Sequence, residues 1–97
     1  MASYVFLIQF RDQGIRNIQD TVKRGDAAMA EAKKMGMKIV EEYWTMGAYD
    51  GVVIMEAPDD ETMSAFALKM GSLGNVAGQT LRAFRRNEME KILGKIK

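Results

Sequence analysis

The chain has 97 residues, 14 of them basic and 13 acidic, so its net charge is +1, and it contains neither cysteine nor histidine. The missing residue types exclude disulfides, thiolate catalysis, histidine-ligated metal or haem sites and Ser-His-Asp chemistry, and the near-neutral charge gives no electrostatic case for nucleic-acid binding. We therefore expect one domain, residues 1–97, with no metal and no cofactor.

The first predicted element is a strand over residues 4–10. It carries aromatic and β-branched residues on both faces, which is typical of a strand that is covered on both sides. The segment before it has no basic leader, and its apolar run of about five residues is too short for a signal peptide or a membrane-spanning helix. We expect a cytoplasmic protein that binds no membrane.

The next element is a helix over residues 26–35, rich in Ala, Glu, Lys and Met. Asp26 is the predicted N-cap and Gly36 the predicted C-terminal stop. Upstream apolar residues also have helical spacing, but Gly25 weakens the case for one long helix. Residues 38–46 follow as a strand, and the acidic pair Glu41 and Glu42 within it is typical of a sheet edge.

Residues 51–57 form a second strand that is apolar on both faces, so it should pair with the first strand at the centre of the sheet. Asp59 or Asp60 is predicted to cap a second helix that ends at Gly71 to Gly74. Residues 76–84 mix glycine and polar residues with apolar ones and predict a second edge strand. A short amphipathic helix over residues 86–97 follows this core of residues 1–85.

The order β-α-β-β-α-β predicts an α+β ferredoxin-like sandwich with strand order 4-1-3-2 and both helices on one face of the sheet. The other face then needs a cover, because the first strand is apolar on both faces. We expect a second copy packed sheet to sheet, a dimeric α/β barrel or a higher oligomer. The alternative is that the C-terminal helix folds back over that face. We expect this helix to dock on its own or a neighbouring subunit.

The turn between the second and third strands holds the first candidate site residues. Tyr49 and Asp50 are predicted to lie at the mouth of a cleft between the sheet and its partner, where a phenol and a carboxylate would orient a polar ligand. Alternatively, Gly47 and Asp50 serve only the turn. Tyr43 and Trp44 are predicted on opposite faces of the preceding strand, so one would form a wall of the cleft and the other would join the core.

Two arginines complete the candidate set. Arg82 lies in a strand of mostly small or apolar residues, and Arg11 closes the first strand. A guanidinium on a half-buried strand needs a carboxylate. We favour Asp50 or Glu56 as an internal partner of Arg82 over a ligand carboxylate or phosphate.

Four segments together resemble the GYD-domain family of small prokaryotic proteins: residues 47–50, 58–61, 74–76 and 80–84. The resemblance spans nearly the whole chain. It implies a ferredoxin-like fold within the dimeric α/β-barrel superfamily, and it implies no settled activity. In one departure, Ala77 and Gly78 stand where the family pattern has a basic and a hydroxyl residue. A ligand contact made by that basic residue would be missing here.

Two functions fit this reading. The favoured one is a homo-oligomeric binding or regulatory module that holds a small polar-aromatic ligand. Its ligand-binding residues would be Tyr49, Asp50, Trp44, Tyr43, Arg82 and Arg11. The alternative is a cofactor-independent oxygenase or isomerase with Asp50 as general base and Tyr49 as donor. The absence of histidine counts against the enzyme, and an Asp50 fully engaged in its own turn would exclude it.

Overall fold

The computed structural model describes residues 1–96, and Lys97, the last residue of the predicted C-terminal helix, lies outside them. The elements in chain order are β1 (Ala2–Phe10), α1 (Asp12–Arg16), α2 (Thr21–Lys34), β2 (Lys38–Trp44), β3 (Gly51–Ala57), α3 (Asp60–Ser72), β4 (Val76–Ala83) and α4 (Arg86–Leu93). Short 3-10 turns occur at Ile18–Asp20 and Gly94–Ile96. None of the helices in residues 1–96 is long and apolar enough to span a bilayer.

The four strands form one antiparallel sheet in the order β2-β3-β1-β4. This is the predicted order read from the other edge, so the α+β ferredoxin-like sandwich is confirmed. The central positions belong to β1 and β3, the two strands whose residues are apolar on both faces. The strands interrupted by polar residues, β2 and β4, lie at the edges, where one side of the backbone is unpaired.

Helix α2 begins earlier than its sequence indicates. It starts at Thr21, so Asp26 lies inside the helix and the prediction that it is the N-cap was wrong. Gly25 lies within the helix, close to β2, and a Cβ at this position would lie 3.2 Å from the Glu42 carboxylate. The stop at Gly36 is confirmed, since its φ of 75° is the left-handed conformation that follows many helices.

Helix α3 has a side-chain N-cap. The Asp59 carboxylate accepts hydrogen bonds from the backbone N–H of Thr62 at 2.8 Å and from its hydroxyl at 2.7 Å. These two bonds favour the charged carboxylate and hold the pKa of Asp59 below its usual range. Of the two predicted caps, Asp59 is therefore the one used.

The face of the sheet toward α2 and α3, called here the helix face, carries the core. The buried apolar residues are Tyr4, Phe6, Ala32, Met37, Val53, Met55, Ala57, Met63 and Phe66. The Phe6 and Phe66 rings meet edge to face with centroids 6.3 Å apart. The Phe6 ring also lies over Gly78, where an added Cβ would be 2.2 Å from a ring carbon. Glycine at position 78 is therefore required by packing, whatever residue other family members use.

The opposite side, called here the open face, carries the side chains of Val5, Leu7, Val52, Ile54 and Leu81, which alternate with the core residues. Helix α4 does not cover this face, contrary to the alternative prediction. Of the apolar residues at helical spacing in this segment, Ile92 is partly buried, whereas Met89, Leu93 and Ile96 are 44%, 52% and 76% exposed. The radius of gyration, 14.6 Å, also exceeds the roughly 12.5 Å expected for a compact domain of this length.

Candidate functional site

A cavity of about 310 Å³ lies between the helix face of the sheet and the helices α2 and α3. We call it the sheet–helix cavity. Its apolar lining includes Phe6, Ile8, Phe10, Ile39, Val53, Ala28, Phe66, Met70 and Val76. Small-molecule pockets have volumes of roughly 300–1,000 Å³ with apolar walls and a few polar groups, so the cavity is at the small end of that range.

Small residues and one ion pair shape this cavity. Gly25 and Ala28 on α2 and Gly51 on β3 leave space where larger side chains would fill it. Lys69 of α3 and Glu31 of α2 both line the cavity and join the two helices through a 2.6 Å ion pair. The hydrogen bond from Lys69 holds the pKa of Glu31 below its usual range. The two helices are thus linked beside the cavity by a pair of surface charges.

Trp44 lies at the edge of the cavity with its ring held in one orientation. Its indole Nε1 donates to the Thr21 hydroxyl of α2 at 3.0 Å, and both residues line the cavity. The side chain nevertheless remains 46% exposed. Trp44 therefore presents an aromatic surface both to the cavity and to the solvent.

Glu42 reaches the same cavity from β2. In the sheet it lies opposite Val53 of the helix face, and its carboxylate approaches the backbone of α2 at Gly25. Among residues 1–96, no hydrogen bond and no ion pair engages this carboxylate. The neighbouring Arg24 does not pair with Glu42, and its guanidinium donates to the carbonyl oxygens of Asn17 at 2.7 Å and Gly14 at 3.1 Å.

Asp50 attaches the β2–β3 turn to the end of β1. Its carboxylate Oδ2 accepts from the Phe10 backbone N–H at 2.8 Å, and its own N–H donates to the Ile8 carbonyl at 2.8 Å. Asp50 also lines the cavity. The Asp50 side chain therefore forms this hydrogen bond with β1 and not with the backbone of its own β2–β3 turn. Within the turn, Gly47 has a φ of 102°, which confirms the conformational role predicted for it.

Tyr49 points to the other side of the sheet. Its hydroxyl donates to the Gln79 side-chain oxygen at 2.9 Å, and Gln79 pairs with Leu7 on the open face. Tyr43 likewise pairs with Val52 of the open face, although it borders the cavity. Tyr43 and Trp44 therefore lie on opposite faces, as predicted. The structure does not bring Tyr49 and Asp50 to one site.

The two predicted arginines lie away from the cavity. Arg82 packs its guanidinium 4.6 Å from the centroid of the Phe84 ring and 5.5 Å from that of Tyr4, and its nearest carboxylate is Glu88 at 3.9 Å. The predicted pairing with Asp50 or Glu56 was wrong, because the start of α4 supplies Glu88 to Arg82. The side chain of Glu56 instead forms an ion pair with Arg85.

Arg11 is exposed and contributes its backbone N–H, which donates to the Asn75 carbonyl at 3.0 Å. The sheet–helix cavity is a different place from the predicted cleft between the sheet and a partner. Of the six predicted ligand-binding residues, the structure brings Trp44, Asp50 and Tyr43 to this cavity and leaves Tyr49, Arg82 and Arg11 outside it.

Sequence reasoning missed Glu42, which its pattern marks only as a polar residue of an edge strand. The sequence does contain a signal for Glu42. Residues two apart on a strand share a face, so Glu42 should lie on the same face as the candidate residue Trp44. The cavity contains no metal-binding group of the usual kind: no cluster of three or more acidic, cysteine or histidine side chains occurs in residues 1–96.

Comparison with known proteins agrees with this architecture. A protein-family model, the GYD domain, matches residues 4–93. The chain belongs to the GYD domain family. A curated relative of this GYD domain is the "glutamine synthetase and cystathionine beta-lyase binding protein" of Thermus thermophilus, which is 29% identical over 84 residues, covering 86% of this chain and 88% of the relative.

Two solved structures are similar to this GYD domain. The protein FFRP-DM1 superposes with a TM-score of 0.62 at 20% identity, over 87% of this chain and all of that chain, and it supports the fold alone. The protein TTHA0845 of Thermus thermophilus superposes with a TM-score of 0.57 at 25% identity, over 88% of this chain and 95% of that chain.

Proposed function

We propose that this GYD domain is a homo-oligomeric binding module with a regulatory role, and that it holds a small ligand in the sheet–helix cavity. The observation that carries the proposal is the cavity itself: about 310 Å³ with an apolar lining and a few polar side chains at its edge. That combination is the usual form of a small-molecule site. Trp44 and Asp50 are the predicted site residues that contribute to it.

The relative in Thermus thermophilus supports the regulatory part of the proposal. Its name describes a protein that binds glutamine synthetase and cystathionine beta-lyase. We propose that this chain likewise binds a metabolic enzyme. Calorimetry with each of these two enzymes, purified from the organism that encodes the chain, tests the point. A heat of binding with either enzyme supports the proposal. The absence of a heat of binding with both enzymes contradicts it.

The open face supports the homo-oligomeric part. Val5, Leu7, Val52 and Ile54 lie side by side across the two central strands and remain partly exposed. A contiguous apolar patch on a small domain is a common mark of an interface. A second copy packed on this face would bury the patch and would give a 97-residue chain the additional stability that its small core lacks.

Native mass spectrometry of protein purified without added ligand tests the cavity. We expect a dimer or higher oligomer that carries a reproducible small-molecule mass. Replacing Ala28 with Phe should abolish that mass, because Ala28 lines the cavity. The matched control is Ala30→Phe, which adds the same ring to the exposed side of the same helix. The proposal is contradicted if both variants carry the bound small molecule to the same extent, or if the parent protein carries none.

The alternative enzyme receives no support from the geometry. It requires the Asp50 carboxylate and the Tyr49 phenol at one reaction centre. The carboxylate lines the sheet–helix cavity and accepts the Phe10 N–H, whereas the phenol donates to Gln79 on the open face. We therefore propose binding without catalysis by this pair.

A further inference from the structure

Most charged groups around the sheet–helix cavity have an ion-pair or hydrogen-bond partner within the protein. Lys69 and Glu31 neutralise each other at 2.6 Å, and Arg24 donates to two backbone carbonyl oxygens. The Asp50 carboxylate accepts the Phe10 N–H. Glu42 is different, since no donor within residues 1–96 engages its carboxylate. Of the three carboxylates that line the cavity, Glu42 is therefore the one that no donor in residues 1–96 engages, and it is available to a positively charged group of a ligand.

Glu42 is also placed to use that charge. It is only partly exposed, so its carboxylate is screened less than one on an open surface. The carboxylate lies against α2 where Gly25 has no side chain, 3.2 Å from the position that a Cβ would occupy. Any larger residue at position 25 would crowd the carboxylate. The local sequence of both elements thus keeps this acidic group accessible to the cavity.

An aromatic surface accompanies the carboxylate. Glu42 and Trp44 are two residues apart on β2, which places their Cα atoms roughly 7 Å apart on the same face. The Trp44 ring is fixed by its 3.0 Å hydrogen bond to Thr21. Both side chains line the cavity, and a cation that lies over an indole face gains about 0.5–2 kcal/mol. A carboxylate beside an aromatic ring is a suitable environment for a protonated amine.

We propose that the sheet–helix cavity selects a small apolar molecule that carries a protonated amine, with the apolar part among Phe6, Ile39 and Phe66 and the ammonium group between Glu42 and Trp44. This inference rests on the proposed function, because it names the class of ligand for the same cavity. A ligand carboxylate would instead be repelled by Glu42. Lys69 already pairs with Glu31, and Arg24 directs two of its N–H donors to the carbonyl oxygens of Asn17 and Gly14.

Three probes with the same phenyl group and different charges test the inference. Phenethylamine is cationic at neutral pH, 2-phenylethanol is neutral, and 3-phenylpropionate is anionic. Trp44 is the only tryptophan in the chain and lies at the cavity edge, so its emission reports occupancy. We expect phenethylamine to bind the full-length protein at least about tenfold more tightly than either of the other two probes.

Two neighbouring residues give a matched pair of variants. Glu42→Gln removes the charge inside the cavity and should weaken phenethylamine binding by about tenfold while leaving 2-phenylethanol unaffected. Glu41→Gln removes the same charge from the adjacent residue, which lies opposite Ile54 on the other face, and should leave binding unchanged. A thermal melt of each variant confirms that it is folded.

The outcomes separate this inference from the proposed function. If all three probes bind equally, or if Glu42→Gln and Glu41→Gln behave alike, the ligand class is wrong and the cavity proposal stands. If none of the probes changes the Trp44 emission, the inference is also overturned. A co-purified mass that Ala28→Phe abolishes would then still support the cavity as a binding site for another class of molecule.

Discussion

The two faces of the sheet carry similar numbers of apolar residues, but these residues differ in how far they are buried. On β3, Val53 and Met55 of the helix face are buried at 6% and 0% exposure, while the alternate residues Val52 and Ile54 on the open face stay partly exposed. The helices α2 and α3 cover one face and enclose a cavity there. Nothing within residues 1–96 covers the centre of the other.

This contrast separates the apolar residues that are buried within one chain from those that remain partly exposed. The helix face supplies the stability of the monomer, since its residues are removed from water within one chain. The central residues of the open face are only partly buried within one chain, so further burial there requires another molecule. Substitutions on the helix face should therefore change the free energy of unfolding, and those on the open face should change association.

The strongest effect should come from two adjacent residues of β3. Met55→Ala removes a fully buried side chain and should lower the free energy of unfolding by about 2–5 kcal/mol through lost burial and the cavity left behind. Ile54→Ala, at the neighbouring position on the open face, should cost clearly less in dilute monomer. Urea denaturation of both variants measures the difference. Equal losses would show that the open face is already covered within one chain.

A second pair of variants tests the packing of β4 against β1. Gly78→Ala places a methyl group 2.2 Å from the Phe6 ring and should cost about 1–3 kcal/mol, because the ring cannot move without disturbing the core. Gly71→Ala is the matched glycine substitution, at a position in α3 with open space around it. It should stabilise the protein by about 0.5–1 kcal/mol, since alanine favours a helix. Thermal melts that rank the two variants in the reverse order would contradict this account.

A charged residue at the centre of the open face tests whether this face mediates self-association. Leu7→Glu puts a carboxylate on the central strand β1 between the open-face residues of β3 and β4. We expect dissociation into folded monomers, with self-association weakened by at least about tenfold, which corresponds to about 1.4 kcal/mol. Sedimentation velocity measures the change. Gln9→Glu, at the exposed end of the same strand face, is the control and should remain associated.

The helix face also predicts a dependence on alkaline pH. Burial, together with the hydrogen bond that the Tyr4 hydroxyl donates to Asp60, raises the pKa of Tyr4 from 10.0 to about 12. A raised pKa in the folded state means that the stabilisation is complete below pH 10 and is lost as the pH rises through about 12. The melting temperature should therefore fall less steeply across this window in Tyr4→Phe than in the parent protein.

Tyr43→Phe provides the comparison for Tyr4→Phe. Its ring is 54% exposed on the edge strand, so its removal should leave the alkaline dependence of the melting temperature unchanged. If Tyr4→Phe and Tyr43→Phe have the same pH profile as the parent protein, then Tyr4 ionises without unfolding cost and its hydroxyl is accessible to solvent.

Local sequence was enough to define the four strands, the helices α3 and α4, the sheet order and the family, but it did not predict α1. Apolar residues on both faces marked β1 and β3 as the central strands, and Asp59 and Gly36 marked helix ends through local backbone chemistry. These features depend on periodicity and on neighbours within a few residues, which the sequence contains directly. The start of α2 was missed because Gly25 has a low helix propensity, whereas the packing of α2 on the core through the buried Ala32 outweighs that local preference.

Which face of each strand meets the helices depends on tertiary packing. The alternation of side chains assigns Tyr49 and Asp50, or Glu41 and Glu42, to opposite faces, but the pattern is symmetric and does not say which face is covered. The packing of Phe6 against Phe66 removes that symmetry, since it joins residues far apart in the chain. It directs Glu42, Trp44 and Asp50 into the sheet–helix cavity. The partner of Arg82 was likewise decided by the position of α4, a contact between elements that local sequence does not specify.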